Sequence, residues 1–343
     1  MENLKGYLMN LIDQTRAHFE SYLKRSVLAH IPSEIIRLEE MVGYHFGWNK
    51  AVEVPGKRLR PLFILLSFGA FGGDPEKILA PAAAIETLHN YTLVHDDIED
   101  DGETRHGQPA LWRKYGMPLA INVGDYLASL SHTLMSETDH SFEEQTRVKA
   151  ISAFQQASLD VIKGQQLDMS YETFPELPLE DYLEMIRLKT SRLFAASLRI
   201  SAILSGQSDE FVARMDALGE KLGIGFQIQD DYLGIWGNKD KTGKSVSTDL
   251  MTRKKAYPAL LGITRSSRFA EIWRKDSLLT LQDLEELKTE LELAGIREET
   301  LNLSGKYYQE TRDELLEFLP SMDRHSGAFL GLVDIMFAPS VQA

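Results

Sequence analysis

The chain contains no cysteine. Disulfides, thiolate metal sites and cysteine nucleophiles are therefore excluded, and a reducing compartment suits it. It also lacks a long apolar run. The longest, Pro61 to Phe71, falls well short of the roughly 20 residues that span a bilayer. The opening residues, MENLKGYLMNLIDQ, have no apolar core behind a basic start, so no secretory signal is expected. Positive charge is in deficit: 37 Lys and Arg against 51 Asp and Glu give a net charge of -14, which repels nucleic acid and anionic lipid. No Ser- or Pro-rich linker, fixed-period repeat or alternating strand with a hairpin signal is apparent. What remains is 43% hydrophobic and 26% charged, the proportions of a globular chain. A soluble, cytoplasmic protein is expected.

Helical periodicity dominates what is present. It predicts helices over 1–23, 33–46, 60–71, 75–101, 117–136, 142–169, 179–204, 209–235, 256–264, 280–294, 298–318 and 322–336. The helix over 75–101 is apolar on most sides, which marks it as central. Polar stretches occur near 102–108 and 237–253, and each follows a helix carrying adjacent carboxylates. The fold class is all-α, and one domain over 1–343 is the simplest organisation.

The first acidic cluster is Asp96-Asp97-Ile98-Glu99-Asp100. Asp96 and Asp100 are i and i+4 and project from one helix face. Carboxylates aimed together from an apolar helix cost several kcal/mol each if unpaired, and a divalent cation offsets that cost. Oxygen donors without cysteine favour magnesium, manganese or calcium, and magnesium is commonly shared with substrate phosphates. The alternative is a solvated helix end, which the helix dipole disfavours for carboxylates. The second cluster, Asp230-Asp231, also closes an apolar helix, with Gln227 three residues back. Lysines follow at 239, 241, 244, 254 and 255. Acidic residues followed by basic ones suit a metal-bridged polyphosphate; a helix end with a solvated basic loop is the plainer alternative. Thr242-Gly243-Lys244-Ser245 mimics the end of a P-loop, but Asn238 stands where its first glycine belongs and no strand precedes it, so an NTPase is rejected.

Basic groups recur upstream. In Gly56-Lys57-Arg58-Leu59-Arg60-Pro61, Lys57 and Arg60 are i and i+3 at a helix start. Cations there oppose the dipole, which suits a bound anion; a solvated basic turn is the plainer alternative. His89 lies seven residues before Asp96, about two turns away on the same face. Lys189-Thr190 sits in an otherwise apolar helix, and Gln165 and Asp168 share a face of another. Taken singly, His89 reads as a core histidine, Lys189 as reaching solvent, and Gln165 as uninformative.

In order and spacing, these motifs resemble the trans-type polyprenyl diphosphate synthases, which have the isoprenoid synthase type I fold. The resemblance runs from about Gly56 to Pro258. It implies a bundle of ten or more helices around a central cavity, a homodimer, and head-to-tail condensation of isopentenyl diphosphate with an allylic diphosphate. By the same resemblance, Lys57, Arg60 and His89 hold isopentenyl diphosphate. Asp96 and Asp100, with Asp97 beside them, hold two magnesium ions, and Asp230 a third. Arg105, His106, Lys189, Lys244 and Lys254 serve the allylic diphosphate. Gln227, Thr190 and Gln165 face developing positive charge. Two positions depart from the family pattern: Gly234 stands where a third aspartate is usual, and His106 replaces the second of two arginines. Both changes are expected to weaken the grip on magnesium or diphosphate. Tyr91 and Thr92, five and four residues before Asp96, resemble the chain-length positions of short-chain synthases, with geranylgeranyl diphosphate favoured over farnesyl diphosphate. Three alternatives compete. A terpene cyclase leaves the Lys57, Arg60 and His89 set without purpose. A non-catalytic subunit would be expected to lose first-cluster ligands. A calcium-binding helical protein leaves the lysines unexplained.

Overall fold

The computed structural model describes residues 2–49, 56–174, 176–237, 248–319 and 323–341. The described residues are almost wholly helical. The helices are α1 (Glu2–Ala29), α2 (Ile36–Phe46), α3 (Leu59–Ala70), α4 (Leu79–Glu99), α5 (Leu111–Tyr115), α6 (Met117–Ser136), α7 (Glu144–Glu172), α8 (Leu179–Ile186), α9 (Arg192–Leu204), α10 (Asp209–Trp236), α11 (Thr248–Met251), α12 (Tyr257–Arg265), α13 (Ser267–Trp273), α14 (Leu281–Leu293), α15 (Ile296–Phe318) and α16 (Arg324–Val341). Among the described residues, no helix is long and apolar enough to cross a membrane. The chain divides into two compact units.

Unit 1 comprises Met1–Leu159, Leu193–Gly219 and Glu317–Leu332. Its centre is α3, buried from Pro61 to Ala70. Phe63 meets the rings of Phe194 and Phe329 edge to face, at 5.7 Å and 6.0 Å. Such aromatic contacts add about 0.5–1.5 kcal/mol each beyond the area they bury. α4 is buried without interruption from Leu79 to Leu88, as its all-round apolar sequence predicts. A 3₁₀ turn, Pro75–Ile78, precedes it, capped by the Asp74 carboxylate, which accepts from Glu76 N–H. The predicted helix over 75–101 is thus shorter at both ends.

The polar stretch after α4 is not a plain loop. Thr104–Arg105 and Gln108–Pro109 form an antiparallel ribbon, β1 and β2. Its two turn residues, His106 (φ 52°) and Gly107 (φ 74°), are both left-handed, which is what a two-residue hairpin turn demands. Strands of two residues carry no readable alternation, so the sequence pattern misses them.

Unit 2 comprises Asp160–Arg192, Glu220–Leu316 and Val333–Ala343. Its core gathers Tyr182, Ile228, Leu260, Phe269, Leu287 and Ile296. α13 lies between the predicted helices over 256–264 and 280–294, where the sequence pattern predicts none. The Ser266 hydroxyl accepts from Phe269 N–H at 3.0 Å, which starts a new helix there. The predicted continuous helix over 179–204 is also corrected, because a π turn occupies Arg187–Ser191. Its cause is close packing from two sides. A Cβ on Gly164 would lie 2.2 Å from the Lys189 main-chain nitrogen, and one on Gly223 would lie 2.4 Å from Ser191 Cα. With no side chains at those positions, α7 and α10 press directly on the turn that carries Lys189 and Thr190. π turns of this kind concentrate at functional sites.

Candidate functional site

In unit 1 the two adjacent aspartates of the first cluster part company. Asp97 is buried and accepts two bonds from Arg105, Nε and Nη2 each at 2.7 Å. Asp96 is half-buried, and Asp100 is exposed as the C-cap of α4. Asp97 therefore ties the hairpin to α4 and is not aimed with Asp96 and Asp100. The expected roles of Asp97 as a metal ligand and Arg105 as a phosphate ligand are modified accordingly, since each holds the other.

The basic group upstream is also rearranged. α3 begins at Leu59 after a left-handed Arg58 (φ 49°). Lys57 is exposed and lies outside the helix, so it does not share a helical face with Arg60. Arg58 is the buried residue of this segment. Its guanidinium meets Glu20 at 2.7 Å and 2.9 Å and Glu86 at 2.6 Å. The Glu20 carboxyl, which burial would raise, is held below its ordinary value by Arg58 and the Trp48 indole. Arg60 contrasts with it. The Arg60 guanidinium lies 4.6 Å from the centre of the Phe194 ring, and its Nε is buried with no hydrogen bond. Burial pulls its pKa down to about 10, against only a partial pull upward from Glu86.

Two imidazoles complete this region. Burial, and then Arg60, Arg105, Arg58 and His45, push the His89 pKa well below the ordinary value. His45, absent from the sequence reasoning, is held at about 3 by burial and by Arg105, His106 and Arg58. Its Nε2 is buried without a partner. Arg58 and Arg105 are matched by Glu20, Glu86 and Asp97, whereas Arg60 has no carboxylate at ion-pair distance among the described residues, and neutral imidazoles act on the same region, an arrangement that suits an anion. Tyr91 packs edge to face on His95 at 5.3 Å, and the Thr92 hydroxyl donates to the His89 carbonyl at 2.8 Å.

In unit 2 a chain of polar contacts runs across α7, the π turn and α10. The Lys189 ammonium donates to Asp168 at 2.6 Å. The Thr190 hydroxyl donates to Gln227 Oε1 at 2.9 Å, and Gln227 Nε2 donates to Asp231 at 2.9 Å. Asp231 is buried and also accepts from the Tyr182 hydroxyl and, at 2.8 Å, from Tyr257 N–H. Burial raises its pKa to about 6, although Lys254, Tyr182, Tyr257 N–H and Gln227 all oppose the rise. Asp230 is half-buried, as is Gln165. α10 continues to Trp236, so the second pair lies within the helix and does not end it. Each acidic pair is therefore divided between a buried anchor, Asp97 or Asp231, and a neighbour on the more open face, Asp96 or Asp230.

The lysines divide as well. Desolvation lowers the Lys254 pKa, but Asp231, Asp249, Asp230 and Asp168 more than reverse it, so the ammonium stays charged. Lys255 instead donates to the carbonyls of Tyr171, Glu172 and Phe174. It closes the C-terminus of α7, which corrects its expected place in a phosphate-binding set. Lys239, Lys241 and Lys244 lie outside the described residues. Tyr182, Tyr257 and Asp249 were not singled out from sequence. The tyrosines read as apolar helix positions, and only the fold brings them to the Asp231 carboxylate.

Among the described residues, no three acidic or imidazole groups are arranged to hold an ion by themselves. The donors nevertheless fit magnesium shared with a substrate. Magnesium is usually held by one or two carboxylates, with waters and substrate phosphate oxygens completing its shell. Asp96 with Asp100, and separately Asp230, are such partial sets.

A family model described as polyprenyl synthetase matches residues 47–290. The chain is 38% identical to a geranylgeranyl diphosphate synthase of Sulfolobus acidocaldarius, over 87% of this chain and 92% of that one. It is 34% identical to a (2E,6E)-farnesyl diphosphate synthase of Mycobacterium bovis, over 64% of this chain and 62% of that one. A solved polyprenyl synthase from Caulobacter crescentus, complexed with calcium and isoprenyl diphosphate, superposes with a TM-score of 0.82 at 26% identity, covering 97% of each chain.

Proposed function

This chain belongs to the polyprenyl synthetase family, and we propose that it is a magnesium-dependent prenyltransferase joining isopentenyl diphosphate head to tail to an allylic diphosphate. The product is a short-chain prenyl diphosphate, with geranylgeranyl diphosphate favoured. One observation carries this reading: the 38% identity to a geranylgeranyl diphosphate synthase extends over 87% of the chain. Residues 1–343 act as one functional domain, and the protein works as a homodimer.

Roles follow from the site chemistry. Arg60, a half-buried cation whose Nε is buried without a hydrogen bond, binds the diphosphate of isopentenyl diphosphate, together with Lys57 and His89. Asp96, Asp100 and Asp230 hold magnesium. Magnesium, when bound, supplies the positive charge that lets the allylic diphosphate leave. Lys189 and Lys254, with Lys244, hold that leaving diphosphate, and Arg105, already bound by Asp97, orients the hairpin that carries His106. Thr190 and Gln227, joined at 2.9 Å, present oxygen dipoles to the carbon that becomes positive, and Gln165 supports them. The allylic carbon–oxygen bond breaks, and the isopentenyl double bond forms the new carbon–carbon bond. The proton it loses passes to the released diphosphate. No side-chain nucleophile is required, in keeping with the absence of cysteine. Tyr91 and Thr92 limit how far the product grows.

Incubation with labelled isopentenyl diphosphate and each allylic primer, followed by product sizing, tests the proposal. The expected outcome is incorporation that stops at a 20-carbon product, the size of geranylgeranyl diphosphate. A primer consumed without isopentenyl diphosphate would identify a cyclase instead. Absence of all incorporation by the isolated chain would favour a non-catalytic subunit.

A further inference from the structure

Asp230 and residue 234 are one turn apart on α10, so they share a helix face. Residue 234 is a buried glycine, and the space its side chain would take is filled from elsewhere. A Cβ at 234 would lie 2.1 Å from Asp249 Oδ2 and 2.6 Å from Asp249 Cγ. The Asp249 carboxylate, carried by α11, thus stands where a side chain of residue 234 would begin.

The same carboxylate acts on Lys254 together with those of Asp231, Asp230 and Asp168. Asp249 and Lys254 are also joined through the main chain, because Lys254 N–H donates to the Asp249 carbonyl at 2.8 Å. Between them Arg253 takes a left-handed φ of 54°. Its guanidinium is anchored on the carbonyls of Lys275 and Ser277 at 2.6 Å and 2.8 Å. The turn is therefore built to hold one carboxylate against α10 and one ammonium beside it.

We infer that Asp249 is a positioning residue for the Asp230 end of α10, supplying from outside the helix the carboxylate one turn beyond Asp230 and keeping Lys254 on that face. This rests on the reading of Asp230 as a magnesium ligand. A purely local role for Asp249, stabilising the first turn of α11, predicts different behaviour.

Asp249→Asn keeps the shape and removes the charge. Binding of Mn²⁺ to the full chain with inorganic diphosphate present, followed by the EPR signal of free Mn²⁺, is expected to weaken about tenfold, as for other groups that orient metal ligands. The KM for isopentenyl diphosphate is expected to stay within about twofold. Gly234→Asp alone places its Cβ on the Asp249 carboxylate and is expected to weaken Mn²⁺ binding. Gly234→Asp combined with Asp249→Gly returns one carboxylate to the same place, and Mn²⁺ affinity is expected to recover to within about threefold of wild type if the two sites are interchangeable. Thermal melting establishes that each variant is folded. Wild-type Mn²⁺ binding by Asp249→Asn overturns the inference. So does a folded double variant that recovers nothing. Asp230→Asn, measured alongside, separates the two levels. If it also binds Mn²⁺ normally, the magnesium reading of Asp230 itself fails. If it weakens while Asp249→Asn does not, only the role of Asp249 fails.

Discussion

Arg60→Met removes a half-buried charge while keeping an apolar chain of similar length against Phe194. In the wild-type protein the guanidinium is 4.6 Å from that ring, and its Nε has no hydrogen bond. Burial brings its pKa to about 10, and the distance from the ordinary guanidinium value corresponds to about 3 kcal/mol against the charged form. Residual solvent contact and an attraction of about 1 kcal/mol to the ring reduce the net cost to roughly 1–2 kcal/mol. The sign is that of a base whose folded pKa is depressed: the cost is present in full below about pH 10 and so is constant between pH 6 and 8. Arg60→Met is therefore expected to raise the melting temperature by about 1–3 °C. The same change deletes a charge-assisted contact of about 2 kcal/mol to the diphosphate, raising the KM for isopentenyl diphosphate about 30-fold or more. Scanning fluorimetry and steady-state kinetics on one preparation read both quantities. A less stable variant would mean that Arg60 has a structural partner, and an unchanged KM would mean that it binds no substrate. Either result refutes the idea that this cation is kept at a cost to the fold for the sake of an anion.

Asp96→Asn is expected to reduce kcat by at least about a hundredfold while leaving the melting temperature within about 2 °C; ordinary turnover would remove Asp96 from the metal set. Tyr91→Ala is expected to lengthen the product, read by chromatography of the dephosphorylated alcohols, and an unchanged length would show that Tyr91 does not limit growth. Asp231 has a folded pKa of about 6, above the unbound value of 3.8, so its ionisation costs stability that is lost as pH rises through that window. Urea unfolding at pH 4.5 and pH 7 should then show Asp231→Asn faring better against wild type at the higher pH. An equal difference at both pH values would mean that Lys254 fully offsets the burial of the carboxylate.

Much of the helical frame is legible in the sequence, because a 3.6-residue period over ten or more positions is a strong signal. The helix over 117–136 is predicted and observed with the same ends. What the period does not carry are events decided by one hydrogen bond or one missing side chain. Ser266 begins a seven-residue helix in a polar stretch too short to show a period, and Gly164 and Gly223 let two helices squeeze a third segment into a π turn. At the site, residue types point to carboxylates and cations, but adjacency in sequence is a poor guide to direction. Asp96 and Asp97 differ by 100° around the helix, and so do Asp230 and Asp231. Only the fold shows that Asp97 meets Arg105 and that Asp231 meets Tyr182. Arg58 and Arg60 present the same problem, one bound by Glu20 and Glu86 and the other by no carboxylate among the described residues at ion-pair distance.

The contacts at Gly164 and Gly223 bear on how tolerance to substitution would be interpreted. Main-chain atoms of Lys189 and Ser191 lie where even a methyl group would have to go, so alanine at either position forces backbone to move, at a cost of about 1–3 kcal/mol or more. A saturation scan scored by survival would rank these two glycines with the lysine and threonine they support, although neither has a functional group. Scored separately for protein abundance and for turnover per folded molecule, the four positions would fall into two classes. The glycines would deplete the first quantity as well as the second, and Lys189 and Thr190 mainly the second.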